Sequence, residues 1–284
     1  MSATSLWGQL KTAAAAGVLF GGYPFARKVY FVGDNAPQFG QQMATIAAAI
    51  NIMLSGDVLI LGPQAHAEGN LSIPATKTNL TFIGAGNRGA CFIEPAVTTD
   101  EGLIVLADDF TLINVGVAKG ATGDYALKIG NTTTSPGRFR AFGSKFEGDG
   151  VAVHLHGCGD IIFDDCEFAW CDKAVLFQSN NNGFCTQIRI KDSLFHNFIT
   201  AALIHNAAAQ QVNNLWVENN FFDEQEDGTA PTDFILLSDN LNIGYIAGNK
   251  FAIPTNDAAK LTIGSGILWG PNGTEAGWST ARPA

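Results

Sequence analysis

The sequence predicts an all-β chain folded as a solenoid of about eight coils, each turn lying on the one before. Three observations carry this: six segments that align without gaps, a composition poor in charge, and helical periodicity confined to one stretch near the start. The segments are FTLINVGV (Phe110–Val117), FRAFGSKF (Phe139–Phe146), IIFDDCEF (Ile161–Phe168), IRIKDSLF (Ile188–Phe195), LWVENNFF (Leu215–Phe222) and GYIAGNKF (Gly244–Phe251). Their shared pattern is apolar, variable, apolar, variable, turn, small, variable, aromatic.

In each segment the first and third positions face one side and the second and fourth the other, which is strand alternation. A polar or glycine corner follows, and the aromatic then turns inward again. Successive final positions are 29, 22, 27, 27 and 29 residues apart, which suits one coil with loops of variable length. A second strand precedes each copy, at Leu103–Leu106, Ala126–Ile129, Ala152–Leu155, Ala174–Phe177, Ala202–Ile204 and Phe234–Leu237. Asp57–Leu61, Leu71–Ile73 and Leu80–Ile83 read as strands of the first coils. The one good helix, Met43–Leu54, is apolar nearly all round, as expected of a cap plugging the open end of a stack. Eight coils at about 4.8 Å make a rod of roughly 40 Å. Stacking in register aligns Phe146, Phe168, Phe195, Phe222 and Phe251 as an interior column. It also places Val115, Ser144, Cys166, Ser193, Asn220 and Asn249 in an inward corner ladder, whose amides satisfy turn backbone.

Composition fits such a stack. Charged residues make up 15%, against about 25% in an average chain, while glycine reaches 32 residues. Strands covered above and below need few charges, and every coil needs corners. No run of about 18 apolar residues occurs, so no membrane span is predicted. A net charge of −10 supplies no basic surplus for nucleic acid. The five cysteines (Cys91, Cys158, Cys166, Cys171, Cys185) form no C-x-x-C pair and read as buried thiols in a reducing compartment. The run Ala13–Phe20 is short for a signal-peptide core and lacks a cleavage site, so export by that route is not expected.

The repeat resembles the right-handed parallel β-helix of the pectate-lyase-like superfamily. The opening module makes the likeness closer: KVYFV (Lys28–Val32), ATIAAAIN (Ala44–Asn51), GDVLILG (Gly56–Gly62), HAE (His66–Glu68) and NLTFIGAG (Asn79–Gly86). Versions with H-A-E after the turn resemble virion proteins of tailed bacteriophages. Here Gly33–Gln42 is shorter than the loop those versions carry. The resemblance spans residues 28–251 and implies a single-stranded β-helix. The expected organisation is an N-terminal arm over 1–28, the β-helix over 29–263 and a C-terminal tail over 264–284, where Ile267–Ala284 shows no helix or strand periodicity and is rich in glycine and proline.

The superfamily's enzymes cleave acidic polysaccharides, by elimination or with paired carboxylates. Calcium-dependent elimination would want clustered Asp/Glu ligands beside an Arg or Lys base. The outward fourth column instead reads Ile113, Phe142, Asp164, Lys191, Glu218, Ala247, and its charges alternate as in a surface ion-pair ladder. Hydrolysis needs two carboxyls about 5–9 Å apart. The candidates are Asp164, Asp165, Glu167 and Asp172, with Asp164, Glu167 and Asp172 the residues to test. Asp223, Glu224, Glu226 and Asp227 read as a solvated loop. His156, Gln178 and His205 share a column, but no converging carboxylate makes it a metal site, so neither metal nor cofactor is expected.

The favoured expectation is therefore a non-enzymatic virion protein: a capsid decoration, head fibre or spike component, assembled in the host cytoplasm as a homotrimer. Its interface residues would be Phe142, Leu176, Leu203, Trp216, Leu236 and Tyr245. Trp7, Phe20, Trp269 and Trp278 on the arms would anchor it to a capsid or tail protein. The alternatives are a tailspike depolymerase or lyase, and a glycan-binding adhesin using Trp216 and Tyr245.

Overall fold

The computed structural model describes residues 28–33, 40–205, 212–223, 231–237, 243–253, 260–274 and 277–281. The alternating segments pair in parallel as one 11-stranded sheet, the first face of the coil. A 16-stranded sheet forms the second and third faces. The result is a right-handed parallel β-helix of about eight turns. The aligned segments become the first-face strands Thr111–Ile113, Gly137–Phe142, Gly159–Asp164, Cys185–Lys191, Val212–Glu218 and Gly244–Ala247. Their register is the one the alignment implies, as in the row Thr111, Arg140, Ile162, Arg189, Trp216, Tyr245.

The corner after this face is built the same way in each of these coils. Asn114, Gly143, Asp165, Asp192, Asn219 and Gly248 all have left-handed backbone, with φ between 52° and 72°. These are residue types that tolerate that conformation. The next residue points inward and bonds to the coil beside it. The amide N–H of Ser193 donates to Asn220 Oδ1 (3.0 Å), that of Asn220 to Asn249 Oδ1 (2.9 Å) and that of Asn249 to Asn272 Oδ1 (3.0 Å). Asn249 Nδ2 donates to the Val217 and Ala247 carbonyls. Ser144 and Ser193 hydroxyls accept from Val115 and Cys166 in the same manner. Buried corner backbone is thereby satisfied without water.

Beside the ladder, Phe168, Phe195, Phe222 and Phe251 stack with centroids 4.5–4.7 Å apart, and Phe146 lies 5.5 Å from Phe168. The N-terminal end is closed by α1 (Ile46–Ile52), shorter than the stretch expected. Ile46, Ala49 and Ile50 are buried. Thr45 Oγ1 accepts from the Ala48 N–H, while the Glu68 carboxylate accepts from those of Ile46 and Ala47. At the other end Lys77 Nζ donates to the carbonyls of Ile50, Asn51 and Met53. Opposite charges from the following coil thus fasten both ends of a helix too short to stand alone. The glutamate of the H-A-E motif has a structural task here.

Two expectations are corrected. Leu203 is fully buried in the core, and its outward place is taken by Ile204, which pairs with Leu176 and Leu236. The cause is one extra residue in Leu194–His205: Cys171 pairs with Phe198, but Lys173 pairs with Ala201. The same slip sets His205 opposite Phe177 rather than Gln178. The tail was expected to lack strands, yet Ile267–Trp269 adds to Gly244–Ala247, and Asn272–Thr274 continues the second face. The stack therefore runs past residue 263. Trp7, Phe20 and the N-terminal arm through residue 27 lie outside the described residues.

Asn249→Ala leaves several buried backbone groups without partners and is expected to cost about 3 kcal/mol of unfolding free energy. Urea denaturation measures this; a loss below about 1 kcal/mol would mean the ladder does not bear on stability.

Candidate functional surface

The outward side of the first face brings together most of the residues singled out in the sequence. Its fourth column is Ile113, Phe142, Asp164, Lys191, Glu218, Ala247. Lys191 Nζ lies 2.6 Å from Asp164, which holds the ammonium pKa up, and Arg189 lies 2.7 Å from Glu218. Arg140 grips both oxygens of Asp160 at 2.8 and 2.9 Å. Charges on this face are therefore spent on one another. Between them a shallow cleft of about 390 Å³ is lined by Asp160, Ile162, Gln187, Arg189, Trp216 and Glu218. Trp216 and Tyr245 sit side by side and are half-buried, while Leu268, next in the column, is 69% exposed.

The three carboxylates weighed as catalytic are each engaged. Asp164 ends a first-face strand and pairs with Lys191. Glu167, past the corner on the second face, lies 3.1 Å from His196 and 3.2 Å from Lys145. The His196 hydrogen bond first, and then Lys145, pull its pKa down to about 2, against burial. Asp172 accepts from the Thr200 hydroxyl and lies 3.4 Å from Lys173. An acid catalyst needs a raised pKa, and Glu167 has the opposite.

The expected interface residues divide among different places. Phe142, 37% exposed, is on the first face, whereas Leu176 and Leu236 are on the third, so they form no common stripe. Leu176 is only 8% exposed and Leu236 is half-buried. Trp269 is no free anchor: it takes the inward register opposite Ile246 and stacks 6.1 Å from Phe251. Trp278, on the one antiparallel strand among those described, is 65% exposed.

The sequence singled out His156 and Gln178, but not the polar cluster on the third face to which they belong. Tyr125, Lys128, His154 and His156 meet there, with His154 Nε2 2.9 Å from Gln178 Oε1 and the two imidazoles stacked at 5.3 Å. Burial first, then the Lys128 ammonium, pushes His154 down to about 4, so it is neutral at physiological pH. Stacking strands in register could have found it, because Lys128, His154 and Leu176 share one column. All five cysteines are buried free thiols, and burial raises Cys91 and Cys166 to about 12. Among the described residues no group of three or more His, Cys, Asp or Glu converges as metal ligands would.

No protein-family model matches the chain, and no curated protein matches it in sequence. Among solved structures it is similar to the pectin methylesterase of Aspergillus niger, at 14% identity and a TM-score of 0.54, over 89% of this chain and 85% of that one. It is similar to YbhC of Escherichia coli, at 11% identity and a TM-score of 0.59, over 88% and 76% of the two chains. ORF18 of Geobacillus virus E2 aligns at 12% identity over 80% of this chain and 52% of that one, with a TM-score of 0.48, too low to carry weight. The likeness shows the fold, a parallel β-helix, and at this identity no chemistry travels with it.

Glu167 ties stability to pH. Its folded pKa lies below the unfolded value of about 4.5, so its contribution is present above that pH and is lost as pH falls toward 2. After allowance for screening at a cluster whose side chains are 19–22% exposed, Glu167→Gln is expected to cost about 1–2 kcal/mol at pH 7. The difference should close between about pH 5 and 2. Denaturation at several pH values checks this, and a gap independent of pH would contradict it.

Proposed function

We propose that this β-helix is a non-catalytic structural protein of a tailed-phage virion, a decoration, head fibre or spike component that works as a homotrimer. One observation carries the reading. The outward charges of the first face neutralise one another in pairs, which leaves Phe142, Trp216, Tyr245 and Leu268 as large uncharged groups among its outward side chains. A surface of that kind suits contact with protein better than it suits chemistry, since aromatic groups anchor interfaces and catalysis needs groups free to exchange protons. The opening module with its H-A-E motif, similar to that of phage virion proteins, supplies the assembly. Exposed Trp278 near the C-terminal end fits attachment to a capsid or tail protein.

Three rods meeting about a three-fold axis would bury the first-face aromatics in a closed contact. Size-exclusion chromatography with light scattering, at micromolar protein, is expected to give three chain masses. Phe142→Asp combined with Tyr245→Asp should shift the mass toward one chain while the far-ultraviolet spectrum stays that of a β protein. A wild-type protein that stays monomeric would sink the trimer.

A further inference from the structure

On the side of the coil between the second and third faces, successive connections stack to form a cleft of about 330 Å³, separate from the first-face surface. Its floor is close-packed backbone. A Cβ added to Gly120 would fall 2.3 Å from the Val97 carbonyl oxygen, and one on Gly148 would fall 2.7 Å from Lys119 Cγ. Lys119 is 7% exposed and its ammonium donates to the carbonyls of Gly120 (3.0 Å) and Ala121 (3.1 Å). Glu147 is held by Lys145 at 2.8 Å. That leaves Glu94 and Asp149 as exposed carboxylates on the lining.

Trp170 forms one wall and is 48% exposed. No aromatic ring or cation packs on its indole among the described residues. Its backbone is left-handed, φ 53°, as are those of Gly148 before it in the column and Asn197 after it. Glycine and asparagine enter that conformation readily, whereas a bulky side chain is held there at a cost. An exposed indole at such a corner adds nothing to the core.

We propose that this cleft binds a non-acidic pyranoside, with the Trp170 ring against the apolar face of the sugar. Hydroxyls would donate to the Glu94 and Asp149 carboxylates around it. An indole face beside hydrogen-bond acceptors matches a ring whose faces are apolar and whose rim is hydroxylated. The charge selects against uronates: a second carboxylate would meet Glu94 and Asp149, and the nearby ammonium of Lys119 is already occupied. The site is independent of whether the chain assembles as proposed above.

The test is calorimetric titration of the full chain with maltotetraose, cellotetraose, chitotetraose and tetragalacturonate. At least one of the three uncharged sugars is expected to bind. Tetragalacturonate should bind at least about tenfold more weakly. Trp170→Asn, which suits the left-handed backbone, should melt no lower than wild type yet bind about tenfold more weakly. Ile52→Ala, on the capping helix, should bind as wild type does. The proposal is overturned if no uncharged sugar binds at about 10 mM. It is equally overturned if Trp170→Asn binds as wild type does, or if tetragalacturonate binds as tightly.

Discussion

The corner after the first face must turn a buried chain through a tight angle at every coil while leaving no backbone amide or carbonyl unpaired. A left-handed residue makes the turn, and the side chain after it supplies the missing partner from the neighbouring coil. From Cys166 to Asn272 this gives one continuous buried line of hydrogen bonds, with a separate link from Val115 to Ser144, each fixing the height and rotation of a coil on the next. The phenylalanine stack and the alternation of the first face follow from that register. So does the identity of every outward column, because a slip of one residue would exchange core for surface.

This explains how much was legible in the sequence. The corner chemistry repeats at a fixed offset from the strand that precedes it, so local pattern was enough to place Asp164, Lys191, Glu218, Trp216 and Tyr245 in their columns. The third face has no such marker. The extra residue between Phe198 and Ala201 moved Leu203 inward and His205 out of its expected row. No property of ITAAL in isolation announces it. The last strands were hidden for another reason: glycine-rich segments such as Asn272–Thr274 have little alternation to read, and pair because an edge is waiting for them. Trp170 was silent because left-handed backbone at a tryptophan contradicts residue preference.

The same economy of charge that builds the stack bears on function. Few charged residues reach the surface, and those described on the first face are matched across neighbouring strands. Asp164, Glu167 and Asp172 each have a partner, and they lie on different parts of the coil instead of facing one bond. Sharing a fold with a pectin methylesterase places strands, not reacting groups. The outer columns of the first face carry mainly aromatic, aliphatic or paired side chains.

The claim that this β-helix does no carbohydrate chemistry is tested most directly by incubating purified protein with capsular polysaccharide and lipopolysaccharide from candidate hosts and assaying new chain ends. No release of reducing or unsaturated ends is expected. Release of such ends, abolished by Asp164→Ala or Glu167→Ala, would contradict it.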